Sequence, residues 1–164
     1  MGLKDAYQKS LQAFASNPKT LRWMVKTAPA LDRFVFRATR GRFTMSGRMM
    51  PIAVLTTTGA RTGVERETPL LCVSDDEGFL VVGSNFGQTH HPAWSGNLLK
   101  NPHATVAQGG KRIPVTGALL TGEDRARAWK FLTSVWPPFD KYVELAGGRE
   151  IRVFRLTPKA SPAV

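Results

Sequence analysis

Downstream of residue 50, short runs of apolar and β-branched residues alternate with glycine, asparagine and acidic punctuation, a period that favours strands over long helices. Ile52–Thr58 is one such run, and residues 64–73 resume the pattern after a turn bracketed by Gly59 and Gly63, so residues 51–71 read as a hairpin. A third strand is expected over residues 79–83 after the acidic turn Asp75-Asp76-Glu77-Gly78. His103–Gln108 and residues 111–120 form a further pair around Gly109-Gly110, and residues 151–156 form the last strand. Two helices lie between strands. Residues 92–100 carry Trp94, Leu98 and Leu99 to one side, and a helix from Thr121 carries Ala126, Trp129, Phe131, Leu132 and Val135.

The first 50 residues follow a helical pattern instead. Residues 6–15 read as a weakly amphipathic helix ended by Asn17-Pro18, and a second helix begins near Pro18. Pro29 divides the run that follows, which reads as helix, break, helix. Its aromatics are interleaved with Lys26, Arg33, Arg37, Arg40 and Arg42. Residues 30–45 suit packing on the strands, and residues 1–28 suit an anionic lipid surface reached by snorkelling basic side chains. After the Thr121 helix, Trp136-Pro137-Pro138-Phe139 through Tyr142 reads as a loop holding three aromatics, a candidate lid over an apolar pocket, with core packing as the competing account.

The chain has 164 residues, enough for one domain with a substantial core, and its 42% hydrophobic and 21% charged residues are ordinary for a globular protein. We divide it into a basic helical segment over residues 1–28, a barrel domain over residues 29–158 and a disordered tail over residues 159–164. The net charge of +11 is unevenly spread, because ten Lys or Arg against Asp5 and Asp32 give residues 1–50 a charge of +8. Such a segment suits a membrane surface or a nucleic acid, and charge alone does not choose between them. No apolar run reaches the length of a signal-peptide core or a membrane span, so a cytoplasmic protein is expected, with attachment at the inner face of the membrane as an option.

The candidate chemistry concentrates at the first hairpin. Arg61 and Arg66, with the hydroxyls of Thr57, Thr58, Thr62 and Thr68, surround a glycine turn that lets backbone N–H groups approach an anion, although such a turn is also an ordinary exposed hairpin. It is not a P-loop, because the lysine and the following helix are missing. Cys72 is alone and sits in a strand, which excludes an internal disulfide and suits a buried hydrophobe. His90, His91 and His103 lack spacing or partners for a metal, and no metal site is expected.

The run Leu55-Thr-Thr-Thr-Gly-Ala-Arg-Thr-Gly-x-x-Arg-x-Thr-Pro-Leu, then Ser84-Asn85, His91-Pro-x-Trp94-x-x-Asn97-Leu and Asn101-Pro102, resembles the deazaflavin (coenzyme F-420)-dependent nitroreductase and quinone reductase family. The likeness spans roughly residues 30–157. It implies an α+β split β-barrel of about six mostly antiparallel strands, of the type that binds flavin mononucleotide, and hydride transfer from the reduced coenzyme to a flat acceptor such as a quinone, with nitroaromatics as a further option. The coenzyme site it implies comprises Ala60, Arg61, Thr62, Arg66, Glu67, Thr68, Pro69, Leu70, Val82, Gly83, Ser84, Asn85, Ala93, Trp94 and Asn97. Trp94, Trp136, Phe139 and Tyr142 would face the acceptor, and Tyr142 is the one candidate proton donor, since the phenols the family commonly carries at the other two loop positions are replaced by Trp136 and Phe139. Two alternatives stand beside this reading: a barrel binding flavin or haem, and a non-catalytic basic protein that binds lipid or nucleic acid.

Overall fold

A computed structural model describes residue 13, residues 17–39 and residues 50–159. Most of the helix expected over residues 6–15, and residues 160–164 of the expected tail, lie outside the described residues. The first helix, α1, runs Pro18–Ala38 with Asn17 as its cap, the Asn17 side chain accepting from the Lys19 N–H at 3.0 Å. It is unbroken. The break expected at Pro29 does not occur; flanking Ala28, Ala30 and Leu31 are strong helix formers, and the helix tolerates the one backbone donor that proline lacks.

Six strands follow: β1 (Ile52–Thr58), β2 (Glu65–Asp75), β3 (Gly78–Val82), β4 (His103–Gln108), β5 (Lys111–Leu119) and β6 (Val153–Pro158). All pair antiparallel, and they close into a barrel in the order β1-β2-β3-β6-β5-β4. Gly109 and Gly110 turn β4 into β5 with positive φ at both positions, the conformation a tight hairpin needs. Helices α2 (Ala93–Lys100), α3 (Gly122–Val135) and α4 (Pro138–Leu145) lie between strands, with a single 3-10 turn at Asn85–Gly87.

Strand alternation sends side chains to two separate apolar layers. Ala53, Leu55, Cys72, Val81, Val106, Val115, Phe154 and Leu156 fill the barrel, and Trp94 and Leu98 of α2 join them. Outside the barrel, Val73, Leu80, Val82 and Val153 meet Ala128 and Leu132 of α3 and the Phe139 and Tyr142 rings of α4. The buried Phe36 near the end of α1 covers Val54 and Ala107 on another outer face. This explains why β1 reads as a continuous apolar run: both of its faces are covered. The acidic β2–β3 turn is held by Arg155 of β6, whose Nη1 lies 2.8 Å from Asp75 and 3.0 Å from Glu77.

The segment after α3 departs from expectation. Pro137 and Pro138 do not hold a loop open; they start α4, where proline's fixed φ and missing donor are compatible with the first turn. Phe139 and Tyr142 are each only 3% exposed, and the Phe139 ring meets Trp129 at 6.0 Å and Tyr142 at 6.3 Å. Phe139→Ala should therefore destabilise the fold by about 3 to 5 kcal/mol, read from urea unfolding. A loss below about 1 kcal/mol would show that this ring is not part of the packed layer.

Candidate functional site

The turn between β1 and β2 is built tightly. A Cβ on Gly59 would meet Thr62 Oγ1 at 2.7 Å and the Val64 carbonyl at 3.0 Å, and Gly63 has a φ of +67°. Glycine is thus favoured at the first position by space, since a side chain would displace the Thr62 hydroxyl and crowd the Val64 carbonyl, and at the second by conformation. The tip is then tied down by α2. The Asn97 side-chain oxygen accepts from the Ala60 N–H at 2.9 Å, its Nδ2 donates to Thr57 Oγ1 at 3.0 Å, and Lys100 Nζ donates to the Ala60 carbonyl at 2.7 Å. Asn97 and Thr57 are buried, whereas Arg61, Thr62 and Arg66 are exposed. Among the described residues neither Arg61 nor Arg66 has an acidic partner.

The expected residues of β2 divide by face. Arg66 and Thr68 share the strand face that carries Leu70 and Cys72 into the barrel, while Glu67 and Pro69 point to the outer side. Glu67 pairs with Arg37 of α1 at 3.4 Å. The structure thus turns this carboxylate toward α1, where Glu67 and Arg66 both line a groove with Arg33, Phe34 and Arg37. Cys72 is buried, and burial pushes its thiol up to about 12, which leaves it protonated and inert.

A second group forms at the end of β3. Val82 lies in the outer apolar layer, Gly83 is buried, and Ser84 and Asn85 are half-buried. Pro92, just before α2, is 3.6 Å from where a Cβ on Gly83 would stand, so α2 spans both groups: its start meets the β3 end and its later turns meet the hairpin. Ala93 is exposed. Trp94 is buried in the barrel with its ring 5.7 Å from Phe154, which makes it core rather than an open wall. The exposed aromatic lid expected at Trp136, Phe139 and Tyr142 is replaced by packed side chains: Tyr142 meets Phe86 edge-on at 6.2 Å, and burial raises the Tyr142 phenol, offset in part by a hydrogen bond with Trp136. That phenol stays protonated at neutral pH.

Two functional positions escaped the sequence reading. Lys100 shares the hold on the hairpin, and Arg149 donates to the carbonyls of Gly83, Ser84 and Gln88. A basic residue directly after the helix-ending pair Gly147-Gly148 was the available signal. His91 lies beside this group, and burial, then Arg152 and Arg149, hold its pKa below the usual histidine value.

A cavity of about 590 Å³ opens at the other end of β2, between the acidic β2–β3 turn and α3. Asp75, Asp76, Glu77 and Asp124 line it together with Arg127, which pairs with Asp124, and Arg155, which pairs with Asp75 and Glu77, so most of its charge is compensated within the cavity.

A closed antiparallel barrel with a cationic hairpin clamped beside a glycine-terminated strand is a frame suited to holding an anionic cofactor. The F420H(2)-dependent quinone reductase family model matches residues 31–158, and the chain belongs to that family. The chain therefore depends on reduced coenzyme F420, the deazaflavin coenzyme, as its hydride source. It is 35% identical to an F420H(2)-dependent quinone reductase of Mycobacterium tuberculosis over 104 residues, covering 60% of this chain and 68% of that protein. A solved F420-H2 dependent reductase (FDR-A) is 36% identical, with a TM-score of 0.59 over 65% of this chain and 93% of the other. Another solved structure, described as a domain-swapped dimer, is 32% identical with a TM-score of 0.62, covering 76% and 94% of the two chains.

Proposed function

We propose that the Asn97-held hairpin tip and the β3 end together hold the reduced deazaflavin coenzyme and present it to a flat quinone. The observation that carries this is the pair of exposed cations, Arg61 on the turn and Arg66 at the start of β2, with no acidic partner among the described residues, on a hairpin whose tip is fixed at Ala60. The fit is chemical: a phosphate and a glutamyl tail need charged donors, and Arg61, Arg66 and the Thr62 hydroxyl supply them. Ala60, Thr68 and Leu70 on the hairpin, with Gly83, Ser84 and Asn85 across from it, would border the ring. Asn97 and Trp94 support it from α2, and Val82 and Ala93 flank it. Glu67 and Pro69, on the outer face of β2, would reach it only through the backbone.

When bound, the coenzyme supplies a hydride. The chain's own residues bind it, fix its orientation and shield the acceptor from water, which is why no acid–base dyad is needed beside it. Trp136, Phe139 and Tyr142 would back the acceptor pocket rigidly from behind Phe86. In this arrangement the proton that completes quinone reduction comes from solvent, and the Tyr142 hydroxyl stays with Trp136. Nitroaromatics share the flatness of quinones and are the natural second acceptor to assay.

Arg61→Ala should weaken coenzyme binding by about 1.5 to 3 kcal/mol in calorimetry with the fold intact, the scale of a hydrogen bond to a charged group. Oxidation of the reduced coenzyme by a small quinone panel should be catalysed by the wild-type chain. Unchanged affinity removes Arg61 from the site, and absence of turnover with every quinone removes that acceptor class.

The membrane surface is the partner we propose for α1. Trp23 is 63% and Phe34 69% exposed, and Lys19, Arg33 and Arg37 are exposed around them. Spaced eleven positions apart, Trp23 and Phe34 fall on one helical face, the pattern of an interfacial helix with basic flanks. Among the described residues no helix is long and apolar enough to cross a membrane. The anionic cytoplasmic leaflet fits this surface. A Trp23→Ala, Phe34→Ala double variant should lose co-sedimentation with anionic vesicles while keeping coenzyme affinity. Sedimentation equal to wild type would exclude this face.

A further inference from the structure

The link between α4 and β6 reverses through Gly147 and Gly148, whose φ values of +64° and +85° lie in the left-handed region, and it delivers Arg149 under the end of β3. Four of the five guanidinium N–H groups find acceptors there. Nε donates to the Gln88 carbonyl at 2.9 Å, Nη1 to Gly83 at 3.1 Å and Nη2 to Ser84 at 2.8 Å. Nη1 also lies 3.3 Å from His91 Nδ1, and since a guanidinium can only donate, Nδ1 accepts and the imidazole proton sits on Nε2. No carboxylate among the described residues pairs with Arg149. A charge spent on three carbonyl oxygens and one imidazole nitrogen is doing a positional task.

What it positions is strained. Asn85, Phe86 and Gly87 stand consecutively in the left-handed region, with φ of +46°, +53° and +76°. For asparagine that conformation is uncommon, and for phenylalanine it is costly, so surrounding contacts must hold it. The bonds from Arg149 fall on Ser84 and Gln88, the residues immediately before and after the strained three. Beneath them, α4 approaches so closely that a Cβ on Gly87 would meet Leu145 Cβ at 2.7 Å. Asn85 Nδ2 in turn donates to the His90 carbonyl at 3.1 Å, closing the connection that leads to α2.

We propose that Arg149 is a positioning residue for the coenzyme: by gripping the backbone on both sides of the strained turn and the His91 ring, it fixes how Ser84 and Asn85 are presented to the ligand. This rests on the coenzyme site proposed above. Arg149 contacts backbone and His91 and acts on the ligand only through Ser84 and Asn85. Lysine at this position keeps the charge but loses the planar fork that reaches three carbonyls at once.

The test uses the full chain with Arg149→Gln and Arg149→Lys. Both variants should weaken binding of the reduced coenzyme at least about tenfold, while kcat at saturating coenzyme stays within about threefold of wild type. The His91 ring, followed by NMR, should titrate at higher pH in Arg149→Gln, since a neighbouring cation and an N–H donor to Nδ1 are lost together. Burial and Arg152 remain, so the rise should be partial. If either folded variant binds the coenzyme as wild type does, the proposal is overturned, even when its melting temperature is lower, because that pattern is a structural role alone. Should Arg149→Gln fail to fold, affinity in Arg149→Lys decides in the same way. A wild-type chain that does not bind the coenzyme overturns the site reading and this proposal together, whereas variants that bind as well as a binding-competent wild type overturn this proposal alone.

Discussion

One buried amide sets the geometry on which the site depends. Asn97 offers an acceptor to the Ala60 N–H and a donor to the Thr57 hydroxyl, and it is only 7% exposed. No apolar residue of similar size can do both, and one placed there leaves the buried Thr57 hydroxyl and the Ala60 N–H without this partner at a cost of about 1 to 3 kcal/mol, whereas an aspartate would bury a charge. The amide also seats α2 across the barrel end, so that Trp94 and Leu98 enter the interior core. Packing and hydrogen bonding therefore agree on one position for the helix, and the hairpin tip inherits that position.

The proposed ligand site then has two walls held in different ways. The hairpin wall is cationic at its surface and pinned beneath by Asn97 and Lys100, leaving Arg61 and Arg66 exposed. The strand-end wall is strained and gripped by Arg149 from the far end of the chain. Because α2 touches both, through Pro92 at Gly83 and Asn97 at Ala60, the distance between the walls is set by a short rigid helix and not by a loop. The opposite barrel end differs in kind, since the arginines of its cavity, Arg127 and Arg155, are paired with Asp124, Asp75 and Glu77, whereas Arg61 and Arg66 have no acidic partner among the described residues.

The strands were legible because their punctuation is local. Glycine pairs and acidic turns mark where each run stops, and β1 to β6 fall within a few residues of the runs that predict them. Proline misled twice for one reason: its effect depends on position within a helix, which sequence alone left open. Pro29 sits inside an unbroken α1, and Pro138 begins α4 instead of ending order. That error made an exposed lid of Phe139 and Tyr142, whose burial follows from α4 packing on α3 and the outer sheet face. The Arg37–Glu67 pair and the grip of Arg149 on Ser84 join residues far apart in the chain, and no local pattern encodes such contacts. The hairpin cations were legible from the Gly59 to Gly63 spacing, whereas the reason they stay put was not.

The central claim is that the coenzyme sits between the Asn97-held tip and the β3 end. Its most direct measurement is an NMR titration of the isotopically labelled chain with the reduced coenzyme, following backbone amides and the Asn97 side-chain amide. Saturable shifts are expected at residues 60–62, at Ser84 and Asn85, and at the Asn97 amide, with the residues lining the cavity between the β2–β3 turn and α3 unmoved. Shifts centred on Asp75–Glu77 and Asp124, or a saturable titration that leaves residues 60–62 and the Asn97 amide in place, would contradict it.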